Sequence, residues 1–195
     1  MTFITLVRHG QTDWNLARRI QGTTDIPLND TGRADARRAA AELAGTVHHA
    51  IYSSPLLRAR ETAEIIADTL GLRAPRLVDG IREREFGEGE GMLVPDYLEK
   101  YGDWHAPVPG AETLEQVGAR ALAALHRIVG ESRRRSAPVA ESVIVVAHGG
   151  VIRSLIDYVS GGTLPRVDQV LANGSAHRFE VSPDSLRLLE RSVLV

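Results

Sequence analysis

Two stretches of this chain hold residue types that can do chemistry. Phe3-Ile4-Thr5-Leu6-Val7 runs into Arg8-His9-Gly10, and Val143-Ile144-Val145-Val146-Ala147 runs into His148-Gly149-Gly150. Each apolar, β-prone run reads as a short buried strand whose C-terminal end hands polar side chains to a loop. In open α/β sheets, ligands bind just outside the carboxyl ends of the strands. The repeated pattern therefore points to one site assembled from both ends of the chain. Arginine carries a planar fork that pairs bidentately with phosphate. A neutral histidine can attack an electrophile directly and form a covalent intermediate. Clustered arginines would hold a phosphoryl group and disfavour the imidazolium, leaving the imidazole free to attack.

The rest of the chain must supply the elements that bring these groups together. Gln11 to Pro27, rich in hydrogen-bonding groups and including Trp14, Asn15, Arg18, Arg19, Gln21 and Gly22, reads mostly as loop. Asn29, Asp30 or Thr31 caps an alanine-rich helix over about Arg33–Leu43, stopped by Gly45. His49–Ser53 is a second strand, and Ser53-Ser54-Pro55 opens a helix with proline tolerated in its first turn. That helix carries Arg58 and ends at Gly71; on spacing alone, Arg58 would pair with Glu61 or Glu64. Arg76–Ile81 reads as a third strand, Arg82–Gly91 as a charged glycine-rich loop, and Met92–Pro109 as an irregular segment with three prolines. A long amphipathic helix spans Ala111 to about Ser132, closed by the solvated Arg133-Arg134-Arg135. A further helix runs from Gly150 or Val151 to Val159, and Ala176–Val181 and Leu186–Leu189 form a hairpin or edge strands around Ser182-Pro183-Asp184. Strands alternating with helices predict an α/β, three-layer sandwich: one domain over 1–195 with a mostly parallel central sheet flanked by helices on both faces.

Composition narrows the class. At 195 residues the chain is long enough to bury about 70% of its unfolded surface around one core. A net charge of −2 gives no reason to expect nucleic-acid or anionic-membrane binding. The absence of cysteine excludes disulfides, thiolate nucleophiles and cysteine-based metal sites, and fits a cytoplasmic location. No segment approaches the roughly 18 apolar residues of a membrane helix. No residues show metal-ligand spacing, so neither a metal nor a cofactor is expected.

Leu6-Val7-Arg8-His9-Gly10-Gln11-Thr12, followed by Asn15 and Gln21-Gly22, resembles the opening of the histidine phosphatase superfamily, which includes phosphoglycerate mutases and acid phosphatases. The resemblance continues in order through Pro27-Leu28-Asn29, Tyr52-Ser53-Ser54-Pro55-Leu56, Arg58-Ala59, Thr62-Ala63, Arg82-Glu83, Phe86-Gly87, Glu90-Gly91, His148-Gly149-Gly150 and Asn173-Gly174-Ser175. It implies a phosphoglycerate mutase-like fold. It also implies that His9 is the nucleophile that becomes phosphohistidine. Arg8, Arg58 and His148, with Gly149, resemble the pocket that binds phosphate. Glu83 resembles the carboxylate that protonates the leaving oxygen and later activates water; the register of Arg82-Glu83 selects it over Glu85, Glu88 and Glu90. Asn15, Gln21 and Gly22 resemble loop positions that touch phosphate or substrate. His48, His49, His105, His126 and His177 read as surface or packing residues, and Trp14 as an entrance wall or a half-buried anchor.

Two departures bear on substrate. Relatives often carry an aromatic where this chain has Gly89, which predicts a more open wall at the mouth. Met92–Pro109 is short, with one lysine and no arginine against Asp96, Glu99 and Asp103. Mutases need extra cations there for a second phosphate and a carboxylate, so this weakly cationic cover favours hydrolysis. The expected activity is hydrolysis of a small phosphomonoester without a metal. The alternatives are a 2,3-bisphosphoglycerate-dependent phosphoglycerate mutase and a non-catalytic phospho-ligand binding module. The sequence allows a homodimer without specifying one.

Overall fold

Among the described residues, 2–165, 169–182 and 185–191, the computed structural model builds one six-stranded sheet. Its strands are β1 (Thr2–Arg8), β2 (Ala50–Ser53), β3 (Arg76–Leu77), β4 (Ser142–Ala147), β5 (Ala176–Ser182) and β6 (Ser185–Arg191). They lie in the order β3-β2-β4-β1-β5-β6. β3, β2, β4 and β1 run parallel, and β5 and β6 add an antiparallel edge. The helices are α1 (Asp13–Leu16), α2 (Asp30–Leu43), α3 (Leu57–Leu70), α4 (Val94–Tyr101), α5 (Leu114–Ser136) and α6 (Gly149–Ser160).

The period-two alternation of side chains on a strand divides the core into two layers. Val143 and Val145 of β4, with Ile4 and Leu6 of β1, face α5 and α6. Ile144 and Val146, with Val7 and Ile51, face α2 and α3. All six residues of β4 are buried, as expected for a central parallel strand covered on both faces. Each fully buried Val, Leu or Ile contributes about 1.5–3 kcal/mol, so the two apolar layers fix the sheet firmly. Register then places the chemistry. Arg8 pairs with Ala147 across β1 and β4, so the residues that follow, His9 and His148, leave the same edge of the sheet side by side.

Local signals account for most boundaries. Asn29 caps α2 by accepting from Gly32 N at 2.9 Å. Gly71 and Gly161 end α3 and α6 in the left-handed conformation. The three arginines at 133–135 form the last turn of α5 rather than following it, and they are exposed. Three expectations are corrected. The third strand pairs only over Arg76–Leu77; Asp79–Ile81 is a 3-10 turn that tucks Gly80 against α5, where a Cβ would lie 2.9 Å from that of Ala124. Part of the supposed loop after Gln11 is the short α1, closed by a capping box between Thr12 and Asn15. The supposedly irregular Met92–Pro109 holds α4, started by Pro95 in its first turn. Tyr97 on α4 is fully buried and stacks on Trp104, their ring centroids 5.1 Å apart, while Phe86 meets Trp104 edge-on. This aromatic cluster forms a small third core beside the functional edge of the sheet.

Candidate active site

His9 sits one residue past β1 and is 2% exposed. Its backbone is held on three sides. His9 N donates to Ala147 O at 3.0 Å, Asn173 Nδ2 donates to His9 O at 3.0 Å, and Gly174 N is shared between Arg8 O at 3.0 Å and His9 O at 3.4 Å. Its ring Nδ1 lies 2.7 Å from Gly10 O. A carbonyl can only accept, so Nδ1 carries the proton and Nε2 keeps its lone pair. Gly10 is required by packing: a Cβ there would meet Gly32 O at 2.1 Å, so the first turn of α2 presses directly on this loop. From α3, Thr62 Oγ1 accepts from Gly10 N at 3.0 Å and donates to Arg58 O at 2.7 Å. Burial, then the charges of Arg58 and Arg8, hold the His9 pKa well below the usual histidine value. The imidazole is therefore neutral at physiological pH.

Arg58 is fully buried. It does not pair with its own helix, because Glu61 is engaged by Arg33 and Glu64 by Arg60. Instead Nη2 donates to Gly22 O at 2.7 Å and Nη1 to Thr24 O at 2.9 Å. The wall reached across the sheet edge decided this, which helical spacing could not show. Arg8 donates through Nη1 to Leu171 O, and burial chiefly lowers its pKa to about 10, so it stays charged at neutral pH. His148 stands beside His9, ring centroids 5.1 Å apart, and is fully buried. Its Nε2 lies 2.8 Å from Ser54 Oγ, which already accepts from Leu56 N. The hydroxyl proton is best used on Nε2, which makes Nδ1–H the donor His148 can offer. Burial, then Arg58, His9 and Arg8, keep the His148 pKa well below its ordinary value. Arg8 Nε, Arg58 Nε and His148 Nδ1 are buried nitrogens without a hydrogen-bond partner among the described residues.

Glu83 borders the same cavity as His9 and is 9% exposed. Its Oε1 accepts from Arg84 N at 2.8 Å and its Oε2 from Gly150 N at 3.2 Å, in the first turn of α6. Gly150 is needed here, since a Cβ would lie 2.5 Å from Glu83 Oε1. Of Glu83, Glu85, Glu88 and Glu90, Glu83 alone lines the cavity. That cavity, about 480 Å³, is bounded by Arg8, His9, Arg58, Glu83, Gly149 and Gly150 at its polar end. Asn15, Gln21 and Gly22 line it as well. Asn15 Oδ1 is occupied by Thr12 and Asn173, which leaves its Nδ2 to face a ligand. Gln21 is 7% exposed, with Oε1 unpartnered among the described residues.

The rest of the lining mixes apolar side chains, among them Phe86, Val94, Leu98, Trp104 and Leu114, with Arg18, Arg19, Arg84 and Arg153. α4 and its aromatic cluster thus supply a packed wall where an open cover was expected. Gly89 does not open the mouth: it is buried away from the cavity, and the space a side chain would need is filled by the Tyr97 ring, 2.7 Å from a Cβ. Trp14 is a half-buried anchor with Arg19 over its ring, outside the cavity lining. His177 is a fully buried packing residue on β5. Sequence reasoning gave no separate weight to Ser54, Thr62, Asn173 and Arg84, which hold the site residues. The first three stood inside the matched motifs, but as small polar residues they carry no chemical signal of their own. Arg84 looked like a loop cation; it is 2% exposed and donates to Glu112 O and Trp104 O. Among the described residues, no three or more His, Asp or Glu side chains are grouped to hold a metal ion, and no helix is long and apolar enough to cross a membrane.

Comparison with known proteins agrees with this arrangement. The phosphatase PhoE of Bacillus subtilis is 35% identical over 193 residues, which covers 99% of this chain and 95% of that protein. A 2,3-bisphosphoglycerate-dependent phosphoglycerate mutase of Brucella ovis is 32% identical, with 93% of each chain covered. Among solved structures, a mycobacterial glucosyl-3-phosphoglycerate phosphatase in complex with VO3 superposes with a TM-score of 0.83 at 26% identity, covering 99% of this chain and 100% of that one. The family model of branch 1 matches residues 4–193, and with β1 and β4 delivering His9 and His148 side by side, the chain belongs to the histidine phosphatase superfamily.

Proposed function

We propose that this chain is a cytoplasmic phosphomonoester hydrolase that works through a phosphohistidine on His9. One observation carries the reading: a neutral imidazole shares a cavity with Arg8 and Arg58, whose buried Nε atoms have no hydrogen-bond partner among the described residues, and the similarly unpartnered Nδ1 of His148 stands beside it. Those three groups would bind the equatorial phosphoryl oxygens and stabilise their charge in the transition state. His9 Nε2 forms the N–P bond as the P–O bond to the alcohol breaks, and protonated Glu83 gives its proton to the departing oxygen. Water then attacks phosphorus, Glu83 takes its proton, the P–N bond breaks, and inorganic phosphate leaves with His9 regenerated.

Hydrolysis is favoured over mutase chemistry by how the remaining cations are used. A mutase must also grip a second phosphate and a carboxylate. Of the other arginines that line the cavity, Arg84 donates to Glu112 O and Trp104 O, Arg153 to Gln169 O, and Arg19 to Gly91 O beside the Trp14 face, which leaves the exposed Arg18 as the one without a side-chain partner among the described contacts. The aromatic and aliphatic side chains of the lining favour a leaving alcohol with an apolar body. The test is a panel of phosphorylated compounds read by free phosphate, alongside a coupled mutase assay. Aryl phosphates should exceed sugar phosphates in kcat/KM, and His9→Ala should abolish turnover while the thermal transition persists. Near-wild-type turnover in His9→Ala, or bisphosphoglycerate-dependent interconversion of phosphoglycerates outpacing hydrolysis, would overturn the reading.

A further inference from the structure

We infer that Glu90, which lies outside the cavity, is a positioning residue that sets the Arg58 guanidinium through the 22–24 loop. The inference rests on the reading above, in which Arg58 holds the phosphoryl group. Glu90 Oε1 accepts from Thr24 N at 2.6 Å and also from Thr24 Oγ1, while Thr23 Oγ1 lies 3.5 Å from Oε2. Gly22 packs its backbone over the same carboxylate at φ +53°, where a Cβ would fall 2.2 Å from Oε2. The carbonyls of Gly22 and Thr24 are the two acceptors of Arg58. One carboxylate therefore holds the Thr24 acceptor by hydrogen bonds and backs the Gly22 acceptor by packing.

Glu90 is itself held rigidly. Its N donates to Gly87 O at 3.0 Å, and the next amide, Gly91 N, donates to Ile20 O at 2.9 Å. The negative charge also favours the charged guanidinium, opposing the burial that lowers the Arg58 pKa. An Arg58 that keeps its charge but loses its orientation would bind phosphate with the fork misaimed, and a small misplacement of a positioning group costs rate steeply. Among the described contacts, no carboxylate other than Glu90 accepts from the 22–24 loop.

The test compares Glu90→Gln, Thr24→Val, Arg58→Lys and the double variant Glu90→Gln/Arg58→Lys in steady-state hydrolysis of an aryl phosphate, with inorganic phosphate as competitive inhibitor. Glu90→Gln should lower kcat/KM about 10- to 100-fold and weaken phosphate inhibition in parallel, with the pH profile unmoved; Thr24→Val should do the same to a smaller degree. The double variant should lose little beyond Arg58→Lys alone, because both changes act on one unit. Wild-type kinetics in Glu90→Gln and Thr24→Val beside an impaired Arg58→Lys would overturn the role of Glu90 while leaving the phosphate-holding role of Arg58 intact. Losses that multiply in the double variant would also overturn it, since they would mark a separate structural effect. Wild-type kinetics and phosphate inhibition in Arg58→Lys would instead overturn the reading on which the inference rests.

Discussion

Acidification to pH 5.5 should destabilise this protein through His9 and His148 before it reaches most carboxylates, which titrate nearer pH 4. Both rings are buried, and their folded pKa values are pushed well below 6.5 by burial and by neighbouring Arg58 and Arg8. The unfolded chain therefore binds protons that the folded chain refuses. Stability contributed by the neutral rings is complete above the unfolded pKa and declines as pH falls below it. At pH 5.5, one unit below that value, each ring costs about 1.4 kcal/mol and the pair about 2.7 kcal/mol relative to pH 7.5. With a urea m-value of about 2 kcal/mol/M, the midpoint should fall by about 1.4 M. The assay is urea unfolding followed by circular dichroism in phosphate-free buffers, for the wild type and for His9→Gln/His148→Gln. His48, whose pKa burial also lowers, remains in both proteins as a common background. The double variant should lose most of the pH dependence. A wild-type midpoint that does not move, or an equal shift in both proteins, would refute the claim that the site holds its two histidines neutral. The kinetic corollary is that kcat/KM for an aryl phosphate stays high through pH 6.5, because the nucleophile is not protonated there.

Glu83→Gln should slow hydrolysis of alkyl phosphates by about 100-fold or more and of aryl phosphates much less, since a good leaving group needs little protonation; equal slowing would remove Glu83 as the acid. Gly150→Ala keeps a helical residue at the start of α6 but places a methyl 2.5 Å from Glu83 Oε1 and 3.3 Å from Arg84 Cβ. It should reproduce the alkyl-selective loss at about 10- to 100-fold with the thermal transition preserved, and an unchanged alkyl-to-aryl ratio would show that the carboxylate needs no such support.

Much of the fold could be read from local patterns. The runs before His9 and His148, the cap at Asn29 and the glycine stops at 71 and 161 act over a few residues, and periodicity exposes them directly. Where local reading failed, a distant partner had decided the outcome. Arg76–Ile81 has strand character, but a free edge ends the pairing at Leu77 and packing against α5 turns the chain into a 3-10 helix. Met92–Pro109 looks broken by prolines, yet Pro95 starts α4 and burial of Tyr97 against Trp104 and Phe86 secures it.

For the site, residue type and motif order were enough to nominate Arg8, His9, Arg58, Glu83 and His148. Their working states were not. Nothing near Arg58 in sequence says that it ignores Glu61 and Glu64 for two carbonyls 36 and 34 positions earlier. Nor does the chain announce that Gly10 O selects the His9 tautomer, that Ser54 orients His148, or that Gly150 and Arg84 amides seat Glu83. Side-chain identity is written in the sequence, and so is the alternation that builds each strand. Protonation, orientation and mutual distance arise only when parallel pairing brings β1, β2 and β4 to one edge, because burial and hydrogen bonding are properties of neighbours in space.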